Sequence, residues 1–444
     1  MKIKHFFNNP FSLIFLTVFF CITSSSVAQK GASPSGEEEI LEKKFINEIT
    51  SLSKHKKVQK AFQTIEELEP RTISELIMLT EIPAPPFKEE LRGIKYAEML
   101  KKAGADSVWT DEVGNVLALR TGFSGNKVVA LDAHLDTVFP EGTDVTVKKY
   151  GDTLVAPGIG DDTRGLMVVL TVLRALEINN IETEANILFI GSVGEEGLGD
   201  LRGVKHLFRE DGPGIDSWIG IDGGDISGIA NGALGSHRYR VTYKGPGGHS
   251  WGAFGLANPH HALGRAINNF TITADSLSRS PEKVSYNIGR IGGGTSVNAI
   301  PFESWMEVDM RSAVPEQLEK MDRIFQNAVQ DALNEENRLK LEGPDLQVDV
   351  EMVGNRPSGK IAAENGLVQK AMASATLFGV PPVLRTGSTN SNIPISKGIP
   401  AVTIGRGGKG DGAHSLQEWW INEDGHLSIQ RALILLLSEA GINN

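Results

Sequence analysis

The sequence has almost no cysteine: its 444 residues include a single one, Cys21. Cys21 lies in an N-terminal segment that we expect to be removed. The mature chain therefore cannot contain a disulfide framework, a cysteine-rich zinc finger or a catalytic thiol. Any metal ion bound by the mature protein must be held by histidine, aspartate and glutamate.

Basic residues are also in deficit, since 44 Lys and Arg face 55 Asp and Glu and leave a net charge of −11. No arginine-rich run is present. A protein that binds nucleic acid through its phosphates needs a positive surface, so this class is excluded. The 40% apolar and 22% charged residues are typical of a globular protein and exclude collagen, coiled coil and long-range disorder.

The apolar run at residues 11–22 is too short to span a membrane, which takes about 20 residues. Lysines precede it and Ser26-Val27-Ala28 follows it, which is the pattern of a secretory signal peptide. We therefore predict a signal peptide over residues 1–28 and a periplasmic or secreted protein with no stable membrane span after cleavage. An uncleaved N-terminal anchor is the alternative.

Short apolar runs alternate with helical patterns over much of the chain. The runs are too brief for helices and rich in Val and Ile, so they predict buried strands. The strands are predicted at residues 128–131, 187–190, 218–221 and 401–404, and helices at 87–103, 165–176 and 427–440. Strands that alternate with helices predict an α/β fold whose sheet is covered on both faces.

The middle of the chain follows the order β-α-β-β-α-β, the split, ferredoxin-like arrangement. Because α/β strands resume only after it, we predict a small α+β domain inserted into the main domain. The predicted plan is a leader and helical segment at 29–71, the main domain at 72–233 and 353–444, and the insertion at 234–352.

Acidic residues and histidines follow the predicted strands, at the edge where open α/β sheets bind ligands. They are His134, Asp136, Glu195, Glu196, Asp222 and His414, while Asp161 and Asp162 directly precede the helix at Gly165. Carboxylates crowded at one edge repel each other unless a cation neutralises them. Two divalent ions about 3.5–4 Å apart, bridged by a carboxylate, would neutralise this cluster.

The adjacent acids Glu195 and Glu196 cannot point the same way, so one can coordinate a metal ion while the other acts as general base. Asp136 can hydrogen-bond the His134 nitrogen that faces away from the metal. Taken singly, these residues have simpler interpretations: a core histidine, a solvated turn, or a helix N-cap at the Asp161 pair. Their common position favours a metal site.

This ordered set of motifs resembles the M20 metallopeptidases. The motifs are His134-x-Asp136, Gly160-Asp161-Asp162-x-x-Gly165, Glu195-Glu196, Asp222 and His414-Ser415. The resemblance covers the chain from Thr72 onward. It implies a zinc-exopeptidase-like catalytic domain with a mixed, mostly parallel sheet, and an inserted lid that also dimerises. Thr163-Arg164 stands where the family has a lysine, a departure closer to the peptidase T-like branch.

The resemblance implies a role for each residue of the set and two divalent ions as cofactor, Zn²⁺ ahead of Co²⁺ or Mn²⁺. Asp161 bridges both ions, His134 and Asp222 complete one site, Glu196 and His414 complete the other, Glu195 is the general base and Asp136 supports His134.

The resemblance also implies substrate contacts. They are His249, Asn298 in the lid turn, Arg311, and Arg385, Gly387 and Ser388 in a loop before the last strand. His249 would reach a substrate oxygen, often in the neighbouring subunit, so a homodimer through the insertion is implied. Purely structural roles are the alternatives for His249, Asn298 and Arg311.

The sequence therefore predicts an exported hydrolase that cleaves amide bonds of short peptides as an exopeptidase, using water activated by two zinc ions and Glu195 as general base. Deacylation of N-acyl amino acids at the same site is the alternative. A solute-binding protein without catalysis would have two similar lobes in tandem, and it gives no reason for Glu195 beside Glu196.

Overall fold

The computed structural model describes residues 41–443, and every element below lies in that range. The helices are α1 (Lys43–Ser53), α2 (Lys56–Thr80), α3 (Glu90–Ala103), α4 (Thr163–Ile178), α5 (Arg202–Leu207), α6 (Pro259–Ser278), α7 (Pro315–Leu339), α8 (Gly366–Leu377), α9 (Asn392–Ser396) and α10 (Gly425–Ala440). The strands are β1 (Ser107–Thr110), β2 (Val116–Arg120), β3 (Val128–His134), β4 (Lys148–Tyr150), β5 (Thr153–Val155), β6 (Asn186–Ser192), β7 (Ser217–Ile221), β8 (Gly228–Ala233), β9 (Gly235–Lys244), β10 (Gly248–His249), β11 (Val284–Gly293), β12 (Ala299–Ile300), β13 (Glu303–Ser312), β14 (Gln347–Arg356), β15 (Gly359–Lys360), β16 (Val383–Gly387), β17 (Ala401–Ile404), β18 (Lys409–Asp411) and β19 (Trp419–Ile421).

The main sheet is mixed, with the strand order β1-β2-β6-β3-β7-β17-β8-β15 and β16 paired to β8. Its central strands β6, β3, β7 and β17 run parallel, while β1, β2 and β15 pair antiparallel at the two sides. The four central strands are almost entirely buried, which explains why the sequence shows them as unbroken apolar runs. The predicted α/β fold is confirmed.

Helix α3 differs from its predicted range of 87–103, because it begins at Glu90. Phe87 has φ 65°, in the left-handed region, so the chain is still turning there.

The predicted signal peptide and the first part of the leader fall in residues 1–40, outside the described residues, and stay predictions. Within the described range no helix is both long and apolar enough to cross a membrane.

A second, antiparallel sheet has the order β11-β13-β9-β14. Along the chain its elements follow β9-α6-β11-β13-α7-β14, the order expected from the sequence. Helices α6 and α7 pack against it around an apolar cluster of their own, which includes Phe270, Phe325 and Met306. The boundaries at 234 and 352 stay predictions, since residues 41–443 belong to one compact unit and β14 continues to Arg356.

Glu439, near the end of α10, joins three other parts of the main domain. Its Oε1 accepts from Lys127 Nζ and, at 2.6 Å, from Ser217 Oγ, and its Oε2 lies 3.0 Å from Lys370 Nζ. Burial raises the pKa of Glu439, but the two lysines outweigh burial and hold the pKa below its usual value. The ionised carboxylate therefore stabilises the folded state.

We expect Glu439→Gln to lower the free energy of unfolding by about 1–3 kcal/mol at pH 7. Because the folded pKa is depressed, this contribution is present above the unfolded pKa and is lost as the pH falls through the folded pKa. Urea denaturation of both proteins at neutral and acid pH measures it, with the exposed Glu210→Gln as control. An equal loss at both pH values would contradict the ion-pair explanation.

Candidate metal centre

The predicted ligand residues come together at the carboxyl edge of the parallel strands. His134 is the last residue of β3 and Asp222 directly follows β7, while Glu195 and Glu196 follow β6. Asp161 directly precedes the N-cap of α4. His414 reaches the same edge from the loop between β18 and β19. Neighbouring parallel strands end at one edge, so residues distant in sequence meet there.

Asp161 lies at the centre of this cluster, with one carboxylate oxygen facing each histidine. Its Oδ1 is 3.3 Å from His134 Nε2, and its Oδ2 is 3.3 Å from His414 Nε2. Glu196 Oε1 is 3.0 Å from the same His414 nitrogen. Candidate ligand atoms lie within 4.8 Å of one another in three overlapping groups: His134, Asp161 and Asp222; Asp161, Glu196 and His414; and His134, Glu195 and Glu196.

The second aspartate of the pair, Asp162, has a different function from the first. Its carboxylate caps α4 by accepting from the Gly165 backbone N–H at 3.1 Å, and it accepts from the His134 backbone N–H at 3.2 Å. A Cβ at position 165 would lie 2.2 Å from Asp162 Oδ1, so only glycine allows this approach. The N-cap interpretation therefore holds for Asp162 and leaves Asp161 to face the cluster.

The loop that carries Asp161 is held by Glu418, a residue that no sequence motif indicates. The Glu418 carboxylate accepts from the backbone N–H groups of Gly158, Gly160 and Asp161, each at 2.8 Å. Glu418 is buried and 257 residues from Asp161 in the sequence. No local spacing could have revealed this contact.

Asp136 supports the cluster in a different way from the one predicted. His134 Nδ1 lies 3.0 Å from the main-chain oxygen of Asp136, whereas the Asp136 carboxylate is 3.7 Å away. The carbonyl can accept only from an Nδ1–H, and this tautomer leaves Nε2 free to face Asp161. The Asp136 carboxylate instead accepts from the backbone N–H groups of Glu195, at 3.1 Å, and Glu196, at 2.8 Å.

The carboxylates of Glu195 and Glu196 have different partners, and the predicted division of roles between them stays a prediction. Glu196 faces His414. Glu195 Oε1 instead accepts from Arg356 Nη1 at 3.0 Å, and the main-chain oxygen of Glu195 accepts from Arg356 Nη2. Both acidic side chains are buried. No motif in the sequence indicates Arg356, because it is 161 residues from Glu195.

Burial dominates the electrostatics of the acids. It raises the pKa of Asp162 and Glu195 well above their usual values and also raises that of Asp222. Burial acts in the same direction on Asp161, but His134 and His414 outweigh it and hold the Asp161 pKa well below its usual range. The positive charge of the nearby side chains therefore offsets burial at Asp161 but not at Asp162, Glu195 and Asp222.

The neighbouring carboxylates raise the pKa values of both histidines. Asp161 and Glu196 raise the pKa of His414 to about 10. Burial lowers the pKa of His134, but the surrounding carboxylates, Asp161 first, raise it well above its usual value. Arg406 Nη1 adds positive charge 3.9 Å from Asp161 Oδ1 and 3.8 Å from Asp222 Oδ1.

The donor set fits a divalent cation. The Nε2 atom of His134 is buried and makes no hydrogen bond to any described residue, although an acceptor oxygen lies 3.3 Å away. Imidazole nitrogens and carboxylate oxygens are the ligands that zinc takes when cysteine is absent. A cation between them would replace protons as the charge that balances these acids.

A cavity of about 550 Å³ opens onto the cluster, and its lining combines the acids with arginines. Arg311 and Arg238 donate to the same carboxylate, that of Asp309, at 2.7 and 2.9 Å. Arg385 makes a longer contact with Asp225, 3.3 Å. Arg356, Gly387 and Ser388 also line the cavity. Of the predicted substrate residues, Arg311, Arg385, Gly387 and Ser388 therefore line the cavity.

The predicted loop with Arg385, Gly387 and Ser388 is only partly a loop, because Arg385 and Gly387 belong to strand β16, which pairs with β8. His249 and Asn298 are exposed and do not line the cavity. They lie near each other, because the Asn298 carbonyl accepts from the Ser250 backbone N–H at 2.9 Å. Their contact with substrate, from this chain or a second copy, stays a prediction.

The mixed α/β sheet carries at its carboxyl edge a cluster of acids and histidines that could hold metal ions. Residues 130–437 match the model of peptidase family M20/M25/M40, and the chain belongs to this family.

The chain is also similar to individual proteins. It is 28% identical to YqjE, an uncharacterised protein of Bacillus subtilis, over 312 residues, which are 66% of this chain and 76% of YqjE. The structure of aminopeptidase PepT from Bacillus cereus has a TM-score of 0.66 at 21% identity, over 83% of this chain and 98% of PepT. The di-peptidase Dug1p from Saccharomyces cerevisiae has a TM-score of 0.66 at 17% identity, over 86% and 99% of the two chains. These two structures share the fold.

Proposed function

We propose that the protein is an exopeptidase that hydrolyses amide bonds of short peptides with the help of two divalent cations, zinc ahead of cobalt or manganese. The observation that carries the proposal is that the two oxygens of Asp161 face different histidines. His134, Asp161 and Asp222 would hold one ion, and Asp161, Glu196 and His414 the other. Such ions supply Lewis acidity toward a carbonyl oxygen and toward water.

Glu195 is proposed as the general base. It is buried at the cavity, and its carboxylate faces Arg356 rather than the histidine that faces Glu196. Burial raises the pKa of Glu195, which suits a group that first takes a proton from the attacking water and then gives it to the leaving amine. Asp136 keeps this acid in place by binding its backbone N–H.

The arginines of the cavity support a substrate with a free carboxylate. Arg311 uses its Nε for Asp309, and within residues 41–443 its terminal nitrogens make no hydrogen bond or ion pair. Arg385 is half-exposed, and its one polar side-chain contact in the described part of the chain is the 3.3 Å contact with Asp225. A guanidinium fork binds a carboxylate through two parallel hydrogen bonds, so these two residues suit the terminal carboxylate of a short peptide.

We expect Arg385→Gln to raise KM by about 10-fold or more with little change in kcat, because a hydrogen bond to a charged group contributes about 1.5–3 kcal/mol. Steady-state kinetics on a dipeptide and on its C-terminal amide measure the effect. The wild-type enzyme should prefer the free carboxylate, and the variant should lose that preference. An unchanged preference would remove Arg385 from carboxylate binding.

A panel of dipeptides, tripeptides and N-acetyl amino acids, assayed before and after chelation, tests the proposed function. Cleavage of peptides with a free amine that is lost on chelation and restored by zinc or cobalt supports it. Activity confined to N-acetyl amino acids would favour the deacylase instead. Peptide cleavage that survives complete metal removal would overturn the proposal.

A further inference from the structure

Glu195 is held by an arginine of the four-stranded antiparallel sheet, although Glu195 itself follows a strand of the main sheet. Arg356 is the last residue of β14. Its Nη1 lies 3.0 Å from Glu195 Oε1 and 3.0 Å from Ser388 Oγ, and its Nη2 donates to the main-chain oxygen of Glu195. The side chains of Arg356 and Glu195 are only 5% and 7% exposed.

The loop that carries Glu195 makes two more contacts with the same antiparallel sheet. Arg238 of β9 donates from Nη1 to the Gly197 carbonyl at 2.6 Å. The backbone N–H of Asn355, in β14, donates to Asp200 Oδ1 at 2.8 Å. From the main sheet, Asp136 accepts from the backbone N–H of Glu195. The backbone of the loop is therefore fixed from both sheets.

The carboxylate of Glu195 is fixed less securely than its backbone. Within residues 41–443, Arg356 is the only hydrogen-bond partner of the Glu195 carboxylate. Without Arg356, the Glu195 side chain would lose this contact and would be free to adopt other rotamers. A buried ion of this kind depends strongly on its partner.

We propose that Arg356 is a positioning residue that holds the Glu195 carboxylate toward the cavity and couples its placement to the four-stranded sheet. This proposal rests on the proposed function, in which Glu195 acts as general base. Substrate binding by Arg356 is the competing explanation, because the residue also lines the cavity. Arg356 uses three of its five N–H groups on Glu195 and Ser388, and its buried Nε has no partner among the described residues, so the split between kcat and KM decides between the two explanations.

The test compares Arg356→Gln and Arg356→Lys with the wild type. A displacement of a reacting group by about 1 Å costs on the order of 10²-fold in rate, so we expect Arg356→Gln to lower kcat by about 100-fold with KM little changed. Lysine keeps the charge but carries its donors on one nitrogen instead of on a planar fork, so its loss should be intermediate. Methylguanidinium added to Arg356→Ala should raise kcat.

A matched control is Arg290→Gln, because Arg290 is also an ion-paired arginine of the four-stranded sheet but lies outside the cavity lining. It should leave kcat and KM unchanged. Metal content and melting temperature are measured for every variant. Crystals of the metal-free wild type and Arg356→Gln provide a readout independent of turnover, since the proposal predicts a displaced Glu195 carboxylate on an unmoved backbone. If the Gln variant does not fold, Arg356→Lys is used for the same comparisons.

Three results would overturn the positioning proposal: a raised KM at unchanged kcat, a loss of kcat that only follows lost metal, or a Glu195 carboxylate that stays in place in the variant crystal. Failure of the proposed function is distinguishable from these, because the wild-type enzyme would then lack metal-dependent peptide cleavage before any variant is compared.

Discussion

Replacing Glu195 with Gln is expected to lower kcat by about 10²–10⁴-fold, the usual contribution of a general base. Glutamine keeps the size of the side chain and an oxygen for Arg356, but it cannot take a proton from water. Metal content should stay near that of the wild type, because Asp161 and Glu196, not Glu195, lie closest to His414. Steady-state kinetics and metal analysis of the same preparation measure both quantities.

The neighbouring acid is the matched control for this experiment. Glu196 Oε1 is 3.0 Å from His414 Nε2, so Glu196→Gln should reduce metal content and turnover together. A Glu195→Gln enzyme that turns over normally would remove Glu195 from the mechanism. If the Glu195→Gln variant lost its metal, Glu195 would be a metal ligand instead. The candidate group of His134, Glu195 and Glu196 would then be the site that it completes.

Replacing Asp161 with Asn is expected to abolish measurable turnover and to remove most of the bound metal. An amide offers one oxygen and no charge, whereas the carboxylate of Asp161 faces His134 with one oxygen and His414 with the other. A single substitution should therefore weaken both proposed sites. Equilibrium dialysis against zinc, followed by elemental analysis, measures the loss.

Asp162→Asn provides the comparison, since Asp162 caps α4 and is not one of the clustered candidate ligands. Asparagine can still cap α4, but its single oxygen cannot accept from both Gly165 and His134, so this variant should lose about 1–3 kcal/mol of stability while keeping its metal. Equal metal loss in the two variants would mean that the loop as a whole, rather than Asp161, determines binding.

The central strands could be predicted because they are buried on both faces. Residues 128–131, 187–190, 218–221 and 401–404 are apolar runs whose structural counterparts β3, β6, β7 and β17 contain them completely. The small sheet of β18, β19, β5 and β4 was not predicted. Its strands β4 and β18 are fully exposed, and its pairs join segments distant in sequence, such as Trp419 with Val155.

The residues of the candidate site could be found from their type and from their position after the strands. The residues that position them could not, because Glu418 and Arg356 act through contacts that only the folded chain creates. Arg406 is an exception, since it lies two residues beyond β17 and the same rule of position would have found it.

Arg164 is buried and donates to the Gly425 carbonyl at 2.8 Å, so its difference from the family lysine does not alter the cavity lining.

The most direct test of the proposed two-cation centre is a crystal structure of zinc-loaded protein with anomalous data collected at the zinc edge. The proposal predicts two anomalous peaks about 3.5–4 Å apart. One should lie among His134, Asp161 and Asp222, and the other among Asp161, Glu196 and His414. A single peak at saturating zinc, no peak, or an Asp161 side chain turned away from both histidines would contradict it.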